Sequence, residues 1–285
     1  MRACRTNDSR FLSESAPALS GFTIDQTNLR LVIDGYPRVS NPARLAEHWI
    51  SLAREQGLEK IWLWTFDKDV AEFQASGFVE EGRIPEDSYA KPTVILAHYL
   101  RPERGRSEYI AEEDILLRHI QEAPVRPLSP LPEGLRVAHL SPVDSPAISR
   151  LMQAVFASYP TPVDDPRYIA GLMEKGCHFA GVFDGEELVS MAAAYPDKRW
   201  QRCEITDCAT LDGYRGLSLT ERLIGRLEPL MLHWMPFRFY TLARARSYGI
   251  NRTFFKLGYR FCGRLINNCH IAGGYEDMNL WVRLP

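Results

Sequence analysis

The 285-residue chain has no apolar run of membrane-spanning length, no C-x-x-C pair, no metal-ligand spacing of His and Cys, and no strong charge of either sign. Each absence excludes something. Without a run of about 20 apolar residues, no membrane helix is expected. Residues 1–20 are polar and broken by Pro17, without the apolar core of a signal peptide, so a flexible start to a cytoplasmic protein is expected. A formal net charge of −2 gives no general pull toward nucleic acid or anionic lipid. Any anionic ligand must be held locally. Cys4, Cys177, Cys203, Cys208, Cys262 and Cys269 mostly lie among apolar neighbours and read as reduced, buried thiols. No metal is expected.

What is present is organised around residues 204–228, EITDCATLDGYRGLSLTERLIGRLE. Ile205, Cys208 and Thr210 suit a buried strand. After the Arg215-Gly216 turn, Leu219, Leu223, Leu227 and Met231 recur every four residues, with Ile224 and Leu230 beside them, which marks one apolar helix face. A strand entering a helix through such a turn directs unpaired N–H groups and the positive end of the helix dipole at one spot. That spot suits a phosphate.

The six positions Gly213, Tyr214, Arg215, Gly216, Leu217 and Ser218 resemble the acyl-coenzyme A turn of the GNAT superfamily of N-acetyltransferases, Gln/Arg-x-x-Gly-x-Gly/Ala. Gly216 fits; Gly213 replaces Gln/Arg, and Ser218, small and able to donate a hydrogen bond, replaces Gly/Ala. The order of elements expected over 134–285 is strand, two helices, three antiparallel strands, the Arg-Gly turn, helix, strand, helix, strand, strand, which is that of a whole GNAT domain. The hairpin within it is signalled by Asp184-Gly185.

The first hundred residues give strand, helix, strand, helix, strand, strand, with Asn41-Pro42 opening the first helix and Gly57 closing it. Phe73, Gly77, Gly82 and Arg83 recur at one offset as Phe254, Gly258, Gly263 and Arg264. Asp34-Gly35-Tyr36 recurs as Asp212-Gly213-Tyr214. This echo implies a duplication. The first copy has no glycine in 37–40 through which a phosphate could approach the backbone, so it is expected to keep the shape and lack the cofactor site. The fold class expected is α+β: a mixed, mostly antiparallel GNAT sheet flanked by helices, preceded by a smaller, degenerate GNAT-like domain. The expected boundaries are 1–20 flexible, 21–122 the degenerate domain, 123–133 a linker stiffened by Pro124, Pro127, Pro130 and Pro132, and 134–285 the catalytic domain. Trp62, Trp64 and Phe66 are core, or an interface if the first domain forms a homodimer.

Residues 240–251, 254–259, 263–269 and 273–281, together with 73–84 and 93–100, resemble the β-lysine N6-acetyltransferase family. The resemblance implies transfer of acetyl from acetyl-CoA to the ε-amine of β-lysine, giving Nε-acetyl-β-lysine, a compatible solute. It assigns Arg215, Gly216, Leu217, Ser218 and Leu219 to the pyrophosphate, with main-chain groups of Cys208, Ala209, Thr210 and Leu211 for the pantetheine arm and Asn251 near the cofactor. A lysine-like ammonium, of pKa about 10.4, must lose a proton before attack. Glu204 is the candidate base, with Asp207, three residues on and expected on the opposite face, as the alternative. The tyrosine that often protonates the leaving thiolate in GNAT enzymes is here Phe254. Tyr259, Tyr248 or water are the alternatives. Arg264, Asn267, Asn268, Glu276 and Asp277 are candidates for holding the substrate's carboxylate and second ammonium. Cys208, mid-strand among apolar neighbours, reads as a core thiol rather than a nucleophile. Another small diamine or amino acid, or a silent acyl-CoA-binding scaffold, are the rival functions.

Overall fold

A computed structural model describes residues 21–36, 41–235, 237–271 and 273–285. The start expected to be flexible, 1–20, and the glycine-free stretch 37–40 lie outside them. In the first half, β1 (Phe22–Asp25) and β2 (Arg30–Ile33) lead to α1 (Pro42–Glu55), then β3 (Lys60–Phe66), α2 (Val70–Ala75), β4 (Val79–Ile84) and β5 (Thr93–Tyr99). Helix α1 starts where the sequence says it should: Asn41 accepts a hydrogen bond from Arg44 N at 3.1 Å, and Pro42 occupies the first turn. Helix α3 (Ile110–Glu122) is followed by a proline-rich segment without regular structure and then by the second half. That half runs β6 (Leu135–Leu140), α4 (Ser145–Val155), α5 (Pro166–Glu174), β7 (His178–Asp184), β8 (Glu187–Asp197), β9 (Arg202–Thr210), α6 (Leu219–Trp234), β10 (Arg238–Arg244), α7 (Tyr248–Lys256), β11 (Arg260–Ile271) and β12 (Gly274–Arg283). This is the GNAT order of elements.

The strands of both halves form one open sheet in the order β1-β2-β3-β5-β4-β11-β12-β10-β9-β8-β7-β6. Its midpoint is the antiparallel contact of β4 with β11, where Gly82 pairs with its own repeat-mate Gly263. The duplication read from the sequence is therefore a two-fold repeat in space, and the free edge of β4 is occupied by the chain's own second half. Glycine is required by contact at one of the two positions: a Cβ on Gly263, which has φ +144°, would overlap the backbone at Glu81 O and Gly82 Cα, whereas one on Gly82 would meet only the end of the Leu280 side chain, at 2.8 Å. The helix faces repeat too. Leu45, Ala46, Trp49 and Ala53 of α1 are buried as Leu223, Ile224, Leu227 and Met231 of α6 are.

Apolar clusters form under α1 and α2, under α6 and α7, and under α4 and α5. A fourth cluster joins the halves without any helix: Trp64, Ile84 and Ile95 pack with Trp200, Tyr240, Leu265, Met278 and Leu280. Trp64 is thus core within the chain, meeting Tyr240 edge-on at 5.5 Å. Buried cations donate to main-chain carbonyls across the same seam. Lys60 pairs with Glu81 and donates to Ile266 O at 2.8 Å, while Arg238 donates to Lys91 O at 2.8 Å and Trp200 O at 2.8 Å.

Candidate active site

Parallel strands β9 and β10 pair only at Arg202, Cys203 and Glu204, opposite Arg238, Phe239 and Tyr240. Beyond Glu204 they part. The register of β9 against β8 explains why: Thr206 faces Ala193 and Ala209 faces Met191, so Asp207 and Cys208 together oppose Ala192. This is a β-bulge, with Asp207 in the left-handed region at φ 49°, where Asp is tolerated better than most residues. The bulge turns β9 away from β10. Main-chain groups of 208–211 and 241–244 are left facing each other across a cleft with no strand between them. A cavity of about 610 Å³ fills it, lined by Asp207, Cys208, Thr210, Arg215, Gly216, Ser218 and Leu219 from one arm, and by Thr241–Arg244 and the first turns of α7 from the other.

At the outer end lies the turn into α6. Gly216 has φ 82° and Ser218 φ 55°, and this alternation of left-handed residues curls successive N–H groups inward as an anion nest. Among the described residues, no backbone acceptor inside the protein serves the N–H groups of Gly216, Leu217, Ser218, Leu219 or Thr220. A pyrophosphate would satisfy them, and the α6 dipole adds to the attraction. Arg215, paired to Asp212 at 2.7 Å, is 59 % exposed and free to turn toward a phosphate. Leu217 is exposed and contributes only its backbone.

The cavity lining on β9 begins at Thr206 and Asp207, and just below it, where the strands still pair, Glu204 sits between Tyr195 of β8 and Tyr240 of β10, its direct cross-strand neighbours. Tyr240 OH donates to Glu204 Oε2 at 3.3 Å. Burial pushes the Glu204 carboxyl up to about 7, with the nearby Asp207 charge adding to the rise and Arg202 and the Tyr240 hydrogen bond opposing it. Asp207 accepts from Tyr159 OH at 2.8 Å and from Tyr195 OH. Since Tyr195 stands beside Glu204, both carboxylates lie on one face. The expectation of opposite faces fails because the bulge inserts a residue and breaks the two-residue alternation. Asp207 is held by two phenols, whereas Glu204 has one long hydrogen bond and a pKa suited to taking a proton near neutrality. Burial raises the Cys208 thiol, which keeps it protonated and makes it no nucleophile.

Other expected site residues are placed elsewhere. Asn251 is fully buried: its Nδ2 caps Arg244 O and Ser247 O, and its Oδ1 accepts from Asn279 and Trp281, so it orders the start of α7 and does not face the cavity. Tyr259 donates to Glu228 Oε1 at 2.5 Å beneath α6, sealed from the cleft. Arg264 bonds Asn279 and Asp114, Asn267 bonds Arg104 O and Arg106 O, Asn268 is fully buried against Cys269, and Asp277 accepts from Asn267 N. These four hold β11, α3 and the first half together. Only Glu276 of that set touches the cavity wall, through Arg244. Of the two phenols expected as proton donors, Tyr248 lines the cavity, as Phe254 does, and Tyr259 does not. The tyrosines around the two carboxylates were not anticipated. Tyr195 and Tyr240 face Glu204 only once the strands are paired, and nothing local marks Tyr159.

A splayed parallel pair, an anion nest at one end and a carboxylate of near-neutral pKa at the other define an acyl-CoA-type N-acetyltransferase. No protein-family model matches the chain. Among curated proteins, it is 32% identical over 255 residues to the β-lysine N6-acetyltransferase of Methanosarcina mazei, covering 82% of this chain and 94% of that one. To the N-acetyltransferase YodP of Bacillus subtilis it is 33% identical over 234 residues, covering 82% and 85%. The β-lysine N6-acetyltransferase of Methanococcus maripaludis is 29% identical over 240 residues, covering 84% and 88%. Among solved structures, yncA of Salmonella typhimurium, a putative acetyltransferase with its cofactor acetyl-CoA, is 11% identical with a TM-score of 0.46, covering 53% of this chain and 94% of that one. The ribosomal-protein-S5-alanine acetyltransferase of Vibrio fischeri is 13% identical at a TM-score of 0.46, covering 53% and 93%. The chain belongs to the β-lysine N6-acetyltransferase family.

Proposed function

We propose that this enzyme moves acetyl from acetyl-CoA to the ε-amine of β-lysine, giving Nε-acetyl-β-lysine. The observation that carries the reading is the cleft between β9 and β10, with its nest at one end and Glu204 at the other; the names of the relatives supply the amine. The pyrophosphate rests on the N–H groups of 216–220. The pantetheine arm lies between the splayed strands and bonds the main chain of 208–211 as an added strand would. Glu204 takes a proton from the ε-ammonium. The free amine attacks the thioester carbonyl, and its oxygen is met by main-chain N–H groups at the Asp207–Cys208 bulge. Collapse breaks the C–S bond, and the extra proton on the nitrogen passes to the departing sulfur, directly or by way of Tyr248, so that the amide is neutral and coenzyme A leaves as the thiol. No metal is needed for any step. Accumulation of a neutralised, zwitterionic product fits a compatible solute made in the cytoplasm.

The test is thiol release from acetyl-CoA with β-lysine, lysine, ornithine and spermidine in parallel. Turnover with β-lysine well above the others supports the reading. Turnover confined to another amine reassigns the substrate, and coenzyme A binding without release from any amine leaves a silent acyl-CoA-binding protein.

A further inference from the structure

The cavity has a second polar end that the transfer chemistry does not use. On β10, Tyr240, Leu242 and Arg244 share one face by alternation. Arg244 pairs with Met278 of β12, and Glu276, two residues earlier on β12, is on that face as well. Arg244 Nη2 donates to Glu276 Oε1 at 2.7 Å. The bond is one-handed. Among the described residues, Arg244 Nε and Glu276 Oε2 are buried with no hydrogen-bond partner, although the Arg244 side chain is 33 % exposed and lines the cavity. Buried polar atoms left unmatched on both members of one pair need an explanation. Between this pair and Glu204 the wall is apolar, formed by Leu242, Ile271 and Met278.

The sequence of surfaces is therefore carboxylate, hydrocarbon, then a guanidinium beside a carboxylate. We propose that Arg244 and Glu276 form the head-group subsite of the amine pocket, Arg244 taking the carboxylate and Glu276 the ammonium of an amino acid whose far amine is delivered to Glu204. This rests on the acetyltransferase reading and adds to it which part of the substrate is recognised and where. Length supports it. Four residues of strand from Tyr240 to Arg244 span about 13 Å. An extended six-carbon ω-amino acid measures roughly 7 Å from carboxyl carbon to terminal nitrogen, and a hydrogen bond at each end adds about 2.9 Å. The zwitterionic head replaces the contact that Arg244 and Glu276 make with each other and gives a partner to the atoms that now lack one.

Three amines separate the contributions: β-lysine carries both head-group charges, 6-aminohexanoate only the carboxylate, and hexylamine neither. Steady-state kinetics of the full-length enzyme are measured with each, for wild type, Arg244→Gln, Arg244→Lys and Glu276→Gln. Arg244→Gln is expected to raise KM for β-lysine and 6-aminohexanoate about 10- to 100-fold, the effect of losing a charged hydrogen bond, with kcat little changed and hexylamine unaffected. Glu276→Gln is expected to raise KM for β-lysine alone. Arg244→Lys keeps the charge without the fork and should recover part of the loss. Equal changes for all three amines, no change, or a rise confined to the KM for acetyl-CoA would overturn the subsite. If wild type acetylates 6-aminohexanoate and not β-lysine, the substrate reading fails while the comparison with hexylamine still judges Arg244. If it acetylates none, calorimetric binding of β-lysine and 6-aminohexanoate decides: weakening in Arg244→Gln upholds the subsite, and equal binding or none removes it.

Discussion

The two halves of this chain share a plan and differ at one place. In the first, β2 pairs with β3 along all four of its residues, Arg30 to Lys60 through Ile33 to Leu63, and ends there. Gly82 and Trp64 both face Ile95, as Gly263 and Leu242 both face Leu280, so Lys60–Leu63 correspond to Arg238–Thr241, of which Arg238–Tyr240 pair with β9. The second half has a bulge at Asp207 and a glycine at 216; the first pairs without a break. The difference is thus that β2 ends where its pairing ends, whereas β9 runs on through the bulge to Thr210 and supplies the second wall of a cleft. The first half is not idle. Through Trp64 against Tyr240, and Arg202 lying 3.8 Å over Trp64 while paired to Asp197 and Asp34, it walls the face on which Glu204 stands.

Removing the proton acceptor from the open half should have the largest effect. Glu204→Gln is expected to lower kcat/KM for the amine by about 10²- to 10⁴-fold without changing the KM for acetyl-CoA. The pH profile gives the sign. With a carboxyl pushed up to about 7, Glu204 is protonated and inactive as a base below that value and ionised above it, so wild-type kcat/KM should rise with pH and level off above about 7. Glu204→Gln should lose that limb, and a limb that survives would assign the base elsewhere.

Forcing the halves apart comes next. Gly263→Ala places a methyl into Glu81 and Gly82 at the two-fold contact, and should destabilise the fold by about 3 kcal/mol or more in denaturant unfolding. A Tm equal to wild type would show that the seam can open without loss.

Closing the nest in the open half is a smaller change. Gly216→Val has space for its side chain but strains a left-handed residue by about 1–2 kcal/mol. The KM for acetyl-CoA should rise about tenfold while that for the amine stays put. The smallest effect belongs to Ser218→Gly, which restores the glycine of the family pattern at φ 55°. Its left-handed backbone is then unstrained, and the KM for acetyl-CoA should move by less than about threefold if shape, not the hydroxyl, holds the phosphate. A loss of tenfold would assign the hydroxyl a direct contact.

Much of this was legible in the chain itself. Strand β3, the cap at Asn41, the four-residue leucine spacing of α6 and the Arg215-Gly216 turn were fixed by local chemistry, because capping, glycine conformation and helix periodicity act within a few residues. The repeat was legible for the same reason, as its glycines answer to backbone demands. The site was read less well. Counting alternation from Glu204 put Asp207 on the wrong face, since a bulge leaves no signature in residue types beyond an aspartate that tolerates the left-handed region. Asn251 was expected near the cofactor, and Tyr259 as one of the alternatives for protonating the leaving thiolate. Their hydrogen-bond partners, Trp281 and Glu228, lie far along the chain and turn both side chains inward.

The sequence by itself determined the elements, their order, the phosphate turn and the candidacy of Glu204, since each depends on neighbours a turn of helix or a strand away. Only the tertiary structure decided that both halves share one sheet, that the strands part after Glu204, and that tyrosines from three separate segments surround its carboxylate and that of Asp207. It also decided that Arg244 and Glu276 meet across two strands. Such facts are set by which strands pair and in what register, and register is a property of the packed sheet as a whole.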